Sequence, residues 1–189
     1  MARVEDFTGR KVLLEASGLK KGHILDVGIG ECACMSFFLA RQGFDVTGID
    51  RSPMAIHVAR RDAASKHIKG TFQARLADAA HLPFDDTAFD AVVSYHSLHH
   101  MDHPERVVRE MFRVCKPGGV VMIAELNETG RKHYSHDPDH DGFLKRIERY
   151  VRTRSAAVGI THTRLDILFV CRKERGHPVK TTERREYQR

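Results

Sequence analysis

The chain predicts a single α/β domain whose mostly parallel sheet is wound on both faces, and three observations carry that expectation. From Ile24 onward, short apolar runs alternate with stretches of helical periodicity, as in strands joined by crossover helices. The first run ends in Asp26-Val27-Gly28-Ile29-Gly30-Glu31-Cys32-Ala33, where spaced glycines open a strand-to-helix turn. Later, Lys116-Pro117-Gly118-Gly119 breaks a helical pattern and starts another apolar run. At 189 residues, one domain with a full core is expected.

The elements follow in order. A short helix is expected over Phe7–Leu19, lying across one edge, and the first strand over His23–Val27. A helix starts near Ala33, with Phe37, Phe38, Leu39 and Ala40 on its apolar side, and Gln42-Gly43 ends it. Phe44–Ile49 makes the second strand, closed by Asp50. Ser52-Pro53 reads as an N-cap followed by proline at the first helical position. Ile56, Ala59 and Ala63 carry that helix to about Lys66.

Phe72, Ala74 and Leu76 alternate as a half-covered third strand, and Phe89–Tyr95 is a continuous apolar run suited to the middle of a sheet. Asp102-His103-Pro104-Glu105 resembles a capping box, and Val107, Val108, Met111 and Cys115 mark the face of the helix it opens. After the Pro-Gly-Gly break, Val120–Ala124 is the next strand. A polar loop is expected from Asn127 to Asp141, then an amphipathic helix with Phe143, Leu144, Ile147, Tyr150 and Val151 on one side. Leu165–Cys171 closes the sheet as an antiparallel strand, and the charged tail beyond it is expected to fray. No internal repeat is present.

Composition narrows the function classes. Hydrophobic residues make up 41% and charged residues 30%, an ordinary soluble balance. No apolar run approaches the roughly 20 residues that cross a bilayer. The start, Met1-Ala2-Arg3-Val4-Glu5-Asp6, lacks the apolar segment of a secretory signal, so a cytoplasmic protein is expected. The four cysteines suggest no disulfide framework, and Cys115 and Cys171 read as buried thiols. The net charge of +6 fits an acidic partner such as RNA, but the excess is modest.

Three ligands fit the glycine turn: a nicotinamide dinucleotide, another adenosyl cofactor, or a metal or redox centre on Cys32 and Cys34. Gly28-x-Gly30-x-x-Ala33 meets the dinucleotide pattern, with Asp50 about 20 residues on, where an acid grips ribose hydroxyls. Taken singly, the glycines fit a tight turn, and Asp50 or Asp78 fits a helix cap. A cysteine metal centre lacks a second pair to complete it.

The rest of the sheet separates the candidates. Asp78, just past the third strand, is placed to accept a hydrogen bond from an adenine amino group, and Phe89-Asp90-Ala91-Val92-Val93-Ser94 leads into the pocket floor. With Lys116-Pro117-Gly118-Gly119 added, the order resembles the class I S-adenosylmethionine-dependent methyltransferases over Ile24 to about Glu125. The likeness is greatest to the small-molecule branch that includes the quinone-biosynthesis C-methyltransferases. It implies a Rossmann-like fold and S-adenosylmethionine as cofactor. It assigns Asp26, Gly28 and Gly30 to the amino-acid end of the cofactor, Asp50 to both ribose hydroxyls, and Asp78 with Ala79 to the adenine. Arg51 would flank the ring, and Tyr95 and His96 would lie beneath the sulfonium. Cys32 stands where the family usually has a third glycine, and reads as a tolerated small residue.

The resemblance divides the single domain, 1–189, into an N-terminal helix (1–21), a cofactor core (22–125), an acceptor-side loop, helix and last strand (126–175) and a charged tail (176–189). The expected activity is methyl transfer to a small-molecule acceptor, with no membrane partner. The alternatives are methylation of RNA or protein, or a catalytically inactive cofactor-binding partner subunit. Arg146, Arg149, Arg152, Arg154 and the basic residues from Arg172 to Arg185 speak for RNA, but no aromatic residues are interleaved among them for base stacking.

Candidate bases are His99 and His100, which otherwise simply cover the following helix, and His133 in the polar loop; Glu125 faces the same mouth. The run His133-Tyr134-Ser135-His136-Asp137-Pro138-Asp139-His140-Asp141 matches no closed metal spacing, so no metal is assigned, and the run is expected to roof the acceptor pocket.

Overall fold

The computed structural model describes residues 8–134 and 140–175, and only the backbone of His140 and Asp141. The expected start of the first helix at Phe7, the tail 176–189 and the run Ser135–Asp139 lie outside the described residues. In chain order the elements are α1 (Thr8–Ser17), β1 (His23–Val27), α2 (Cys34–Arg41), β2 (Asp45–Asp50), α3 (Pro53–Ala63) and β3 (Thr71–Leu76). They continue with β4 (Phe89–Tyr95), a 3-10 turn (Leu98–His100), α4 (Pro104–Val114), β5 (Cys115–Leu126), α5 (Glu128–Tyr134), α6 (His140–Arg152), β6 (Ser155–His162) and β7 (Asp166–Lys173).

The strands form one seven-stranded sheet in the order β3-β2-β1-β4-β5-β7-β6. From β3 to β5 every pairing is parallel, while β7 runs against both β5 and β6. Consequently β6 points the same way as the first five strands, and β7 alone is reversed.

The central strands are apolar throughout because helices cover both their faces. Leu25, Val92, Val121 and Ile123 pack on one side with Val108, Met111 and Phe112 of α4 and Phe143 and Ile147 of α6. Their neighbours Ile24, Val93, Val120 and Met122 face the other side, against Leu13 of α1 and Met35 and Leu39 of α2. Phe37, Ile56, Ala59 and Ala74 join α2, α3 and β3 in a third cluster. The periods of two and 3.6 seen in the sequence are these faces.

Ser52 caps α3 as expected, its Oγ accepting from the Ala55 N–H at 3.3 Å, with Pro53 opening the helix. That helix stops at Ala63, short of Lys66, because Ser65 and Lys66 turn back on the carbonyls three residues earlier. Leu76 is 57% exposed: β3 is the outermost strand, and α3 covers Ala74 but not the strand end.

The capping box expected at Asp102 does not form. His103 occupies the N-cap without a side-chain cap bond, while Asp102 pairs with Arg51 and Glu105 with Arg146. The Pro-Gly-Gly segment lies inside β5, not ahead of it. Phe89 pairs with Cys115 and Ala91 with Val120, so the register shifts across a bulge in which Gly118 takes φ 75°.

Two elements are additions to the sequence reading. The expected polar loop folds in part as α5, capped by Asn127 Oδ1 accepting from the Gly130 N–H at 2.9 Å. The strand β6 was also missed: as the outer edge of the sheet, it leaves Ala156, Ala157, Gly159, Thr161 and His162 exposed, and such a strand carries little apolar signal. Among its described residues, the segment 126–175 therefore holds two helices and a hairpin.

Candidate functional site

The strand order reverses between β1 and β4, so the connections leaving their carboxyl ends part and open a crevice there. The turn after β1 forms one wall. Gly28 and Gly30 take φ of 79° and 58°, which glycine adopts without a Cβ penalty. Their surroundings differ. A Cβ on Gly28 would come within 2.7 Å of Ser97 Oγ, so this glycine lets the β1 turn press against the turn after β4. A Cβ on Gly30 would meet nothing within 4 Å, and space is open above it. Cys32 is exposed on the same turn.

Asp50 links the turns after β1 and β2. Its Oδ2 accepts from the Gly30 N–H and its Oδ1 from the Ser52 N–H, each at 2.9 Å. Each oxygen retains a further lone pair. Asp26 lies deeper, 1% exposed, and accepts from Ser36 Oγ at 2.6 Å. Burial pushes its carboxyl up to about 7, against the opposing pull of the Ser36 hydroxyl and the Arg10 charge.

Asp78 is exposed beyond β3, accepting from the Ala80 N–H at 2.9 Å and paired with His81 Nδ1 at 3.1 Å. The Ala80 N–H first, and then His81, hold its carboxyl below the usual carboxylate range. Ala79 beside it is half-buried. Arg51 reaches across to Asp102 at 3.2 Å, tying the end of β2 to the turn before α4.

The far wall follows β4. Tyr95 Oη donates to Asp166 Oδ2 at 3.4 Å, and His96 Nε2 lies 2.7 Å from Asp166 Oδ1. Thr163 Oγ1 donates to the same carboxylate at 3.2 Å, and the Arg10 guanidinium sits 5.5 Å from the Tyr95 ring centre. Burial, and then the Asp166 charge, pushes the Tyr95 phenol well above its ordinary value. Asp166 is only 4% exposed.

His99 is held inside this wall. Its Nδ1 lies 2.5 Å from Glu125 Oε2, while Glu125 Oε1 accepts from the Leu98 N–H at 3.0 Å. The pair fastens the 3-10 turn to the end of β5. His100 is exposed, its ring centre 4.0 Å from that of His99, and His133 is exposed on α5.

The structure thus gathers Gly28, Gly30, Asp50, Tyr95 and His96 around the crevice, with Asp26 behind its floor and Asp78, Ala79 and Arg51 toward the β3 side. His99 and His100 stand ring to ring on the 3-10 turn, and His133 lies on α5. The sequence reading missed Arg10, Thr163 and Asp166. No local pattern marks them, since Asp166 meets His96 across 70 positions.

Residues 25–123, more than half of the chain, match a sequence family described as a methyltransferase domain. The chain is similar to the methyltransferase GfsG of Streptomyces halstedii, with 36% identity over 115 residues, 60% of this chain and 41% of that protein. It is also similar to the ubiquinone/menaquinone biosynthesis C-methyltransferase of Pseudomonas putida, with 30% identity over 137 residues, 71% and 54% of the two chains. It spans about half the length of such relatives, or less.

Among solved structures, a putative S-adenosyl-L-methionine-dependent methyltransferase from Methanococcus maripaludis shares the fold at a TM-score of 0.72 and 19% identity, covering 90% of this chain and 85% of that one. The [4+2]-cyclase SpnF shares it at 0.71 and 20%, covering 89% and 80%. The family match runs from β1 into β5 and contains Asp26, Asp50 and Asp78 at the ends of their strands, and on that ground the chain belongs to the methyltransferase domain family.

Proposed function

We propose that the chain binds S-adenosylmethionine over the carboxyl ends of β1, β2 and β3 and passes its methyl group to a small-molecule acceptor held beside β4, β5 and α5. The observation that carries this reading is Asp50: a carboxylate fastened by the Gly30 and Ser52 N–H groups at the crest of the sheet, next to open space above Gly30. A fixed carboxylate with lone pairs left over suits a ribose diol, because it accepts two hydroxyl hydrogens without having to be oriented at binding.

In this reading Asp26 lies behind the amino-acid end of the cofactor, whose positive charge would favour the ionised carboxylate, with Gly28 and Gly30 shaping the turn around it. Asp78 and Ala79 meet the adenine, Arg51 lies along its ring, and Tyr95 and His96 stand under the reacting sulfur. When bound, the cofactor supplies a methyl group on a cationic sulfur, already activated for transfer. What remains for the chain is to align the acceptor and exclude water. The small-molecule assignment draws on the names of the relatives and on the basic residues of α6. Arg146 and Arg152 pair with Glu105 and Glu148, and Arg154 lies over Tyr150, so their charge is partly committed within the molecule. The buried thiols of Cys115 and Cys171 suit a reducing compartment such as the cytoplasm.

The shared fold of SpnF shows why binding must be measured directly, since one fold hosts several reactions. Calorimetry with S-adenosylmethionine and S-adenosylhomocysteine should detect both, and Asp50→Ala should weaken each about tenfold or more, the loss of a charged acceptor worth about 1.5–3 kcal/mol. Binding of NAD with no binding of S-adenosylmethionine would overturn the proposal. Methyl transfer confined to RNA and strongly salt-dependent would replace the small-molecule acceptor with RNA.

A further inference from the structure

We infer that His96 and Asp166 form a proton-accepting pair that makes a hydroxyl group the methyl acceptor, a deepening that rests on the methyl-transfer reading above. Three independent features of the wall beside β4 converge on His96.

The first is position. His96 follows the last residue of β4, its N–H donating to Ala124 O of β5 at 2.8 Å, and its neighbour Ser97 is the residue that a Cβ on Gly28 would strike. It therefore stands one residue from the cofactor turn, at the point where the strand order reverses, with the start of β7 on its other side. The second is backbone conformation. His96 takes φ 54°, one of three non-glycine residues in the left-handed region among those described. Such strain persists only where surrounding structure enforces it, and it concentrates at functional sites.

The third is the pair itself. Asp166 Oδ1 lies 2.7 Å from Nε2, and the Asp166 side chain is 5% exposed against 26% for His96. A carboxylate at Nε2 selects the tautomer with its proton there and leaves a lone pair on Nδ1. Nothing among the described residues bonds Nδ1. The carboxylate is itself held: Tyr95 Oη and Thr163 Oγ1 donate to Oδ2, and Gly9 of α1 packs so closely that a Cβ there would fall 2.0 Å from that oxygen. The Arg10 guanidinium lies over the Tyr95 ring, and Tyr134 also acts on that phenol. An acid orienting a histidine whose second nitrogen is open is the arrangement of a general base.

The chemistry selects the acceptor. A neutral amine attacks through its own lone pair and sheds its proton afterwards, whereas a hydroxyl oxygen is a weak nucleophile until its proton moves. At His96 the proton of the hydroxyl passes to Nδ1 as the oxygen's electron pair forms the bond to the methyl carbon. The methyl–sulfur bond breaks with its pair left on sulfur. The products are a methyl ether, a neutral thioether and an imidazolium that returns its proton to water. His96 is then the catalytic base and Asp166 a positioning residue.

The test uses 4-nitrophenol, whose ionised form absorbs visible light, added to the full chain saturated with S-adenosylhomocysteine. The bound phenol should ionise with an apparent pKa about one unit below its value in water, about a tenfold shift toward phenolate. His96→Asn should abolish the shift at S-adenosylhomocysteine concentrations that calorimetry shows to saturate the variant. Asparagine tolerates the left-handed backbone, so this variant keeps the turn. Asp166→Asn should reduce the shift, since the carboxamide no longer fixes the tautomer. If the phenol binds without ionising, fails to bind the loaded protein, or ionises equally with His96→Asn, the base assignment falls. If S-adenosylhomocysteine itself does not bind, the functional reading falls with it.

Discussion

Asp26 concentrates the residue-scale conflict in this molecule. A carboxylate buried to 1% exposure is costly, and at Asp26 that cost is offset mainly by hydrogen bonds from Ser36. The group titrates near 3.8 when solvated and at about 7 in the fold, so between those values the folded state holds a proton that the unfolded chain has released. Stability contributed by this group is present below about pH 4 and is lost as pH rises toward 7. Asp26→Asn keeps an oxygen for Ser36 and cannot ionise. Its urea midpoint should exceed that of the parent at about pH 8, by a margin that shrinks at about pH 5. An unchanged difference at the two pH values would show that Asp26 is ionised throughout.

The same residue illustrates what sequence conveys. The places of Asp26, Gly28, Gly30, Asp50 and Ser52 at strand ends and turns were legible because turn and cap chemistry marks them locally. The roles of Asp166, Arg10 and Thr163 depend on strands brought together by the sheet order, and a single sequence carries no trace of that pairing. His99 shows the converse: its place in a histidine-rich turn suggested a base, while its partner Glu125, 26 positions away at the end of β5, could not be read from that turn.

At the scale of elements, the joints between helices and strands carry the design. Lys173, in the reversed strand β7, extends its Nζ to the carbonyls of Phe112 and Cys115, at 2.6 and 2.7 Å, across the end of α4. It satisfies groups that a helix terminus leaves without partners and adds positive charge at the negative end of the helix dipole. Lys173→Met should therefore cost about 1.5–3 kcal/mol in urea unfolding, with cofactor binding unchanged because α4 meets the site through its other end. A loss within a few tenths of a kcal/mol would mean that water serves those carbonyls equally well.

Elements with a strong period were found to within a few residues: β1 and β4 fall as expected, and α2 and α3 begin as expected. Those with weak signals were not. The exposed edge strand β6 buries too little to need an apolar run, and α5 hides its start in a lone Asn127 cap. The Pro-Gly-Gly segment misled in a different way, since its glycines serve a bulge within β5 and not the boundary of the strand.

For the whole molecule, the architecture separates stability from function. The two buried layers lie against the middle of the sheet, while Gly30, Asp50, Asp78 and His96 stand at one end of it, where the chain leaves the strands. Among the described residues no helix is long and apolar enough to cross a membrane. The central claim is that this end of the sheet, at the reversal between β1 and β4, is the cofactor site. A crystal structure of the chain grown with S-adenosylhomocysteine tests it most directly. The account predicts ligand density above Gly30, with the ribose hydroxyls on the Asp50 carboxylate, the adenine beside Asp78 and Ala79, and the sulfur next to Tyr95 and His96. Density elsewhere, or an adenosyl group turned so that Asp50 touches no hydroxyl, would contradict it.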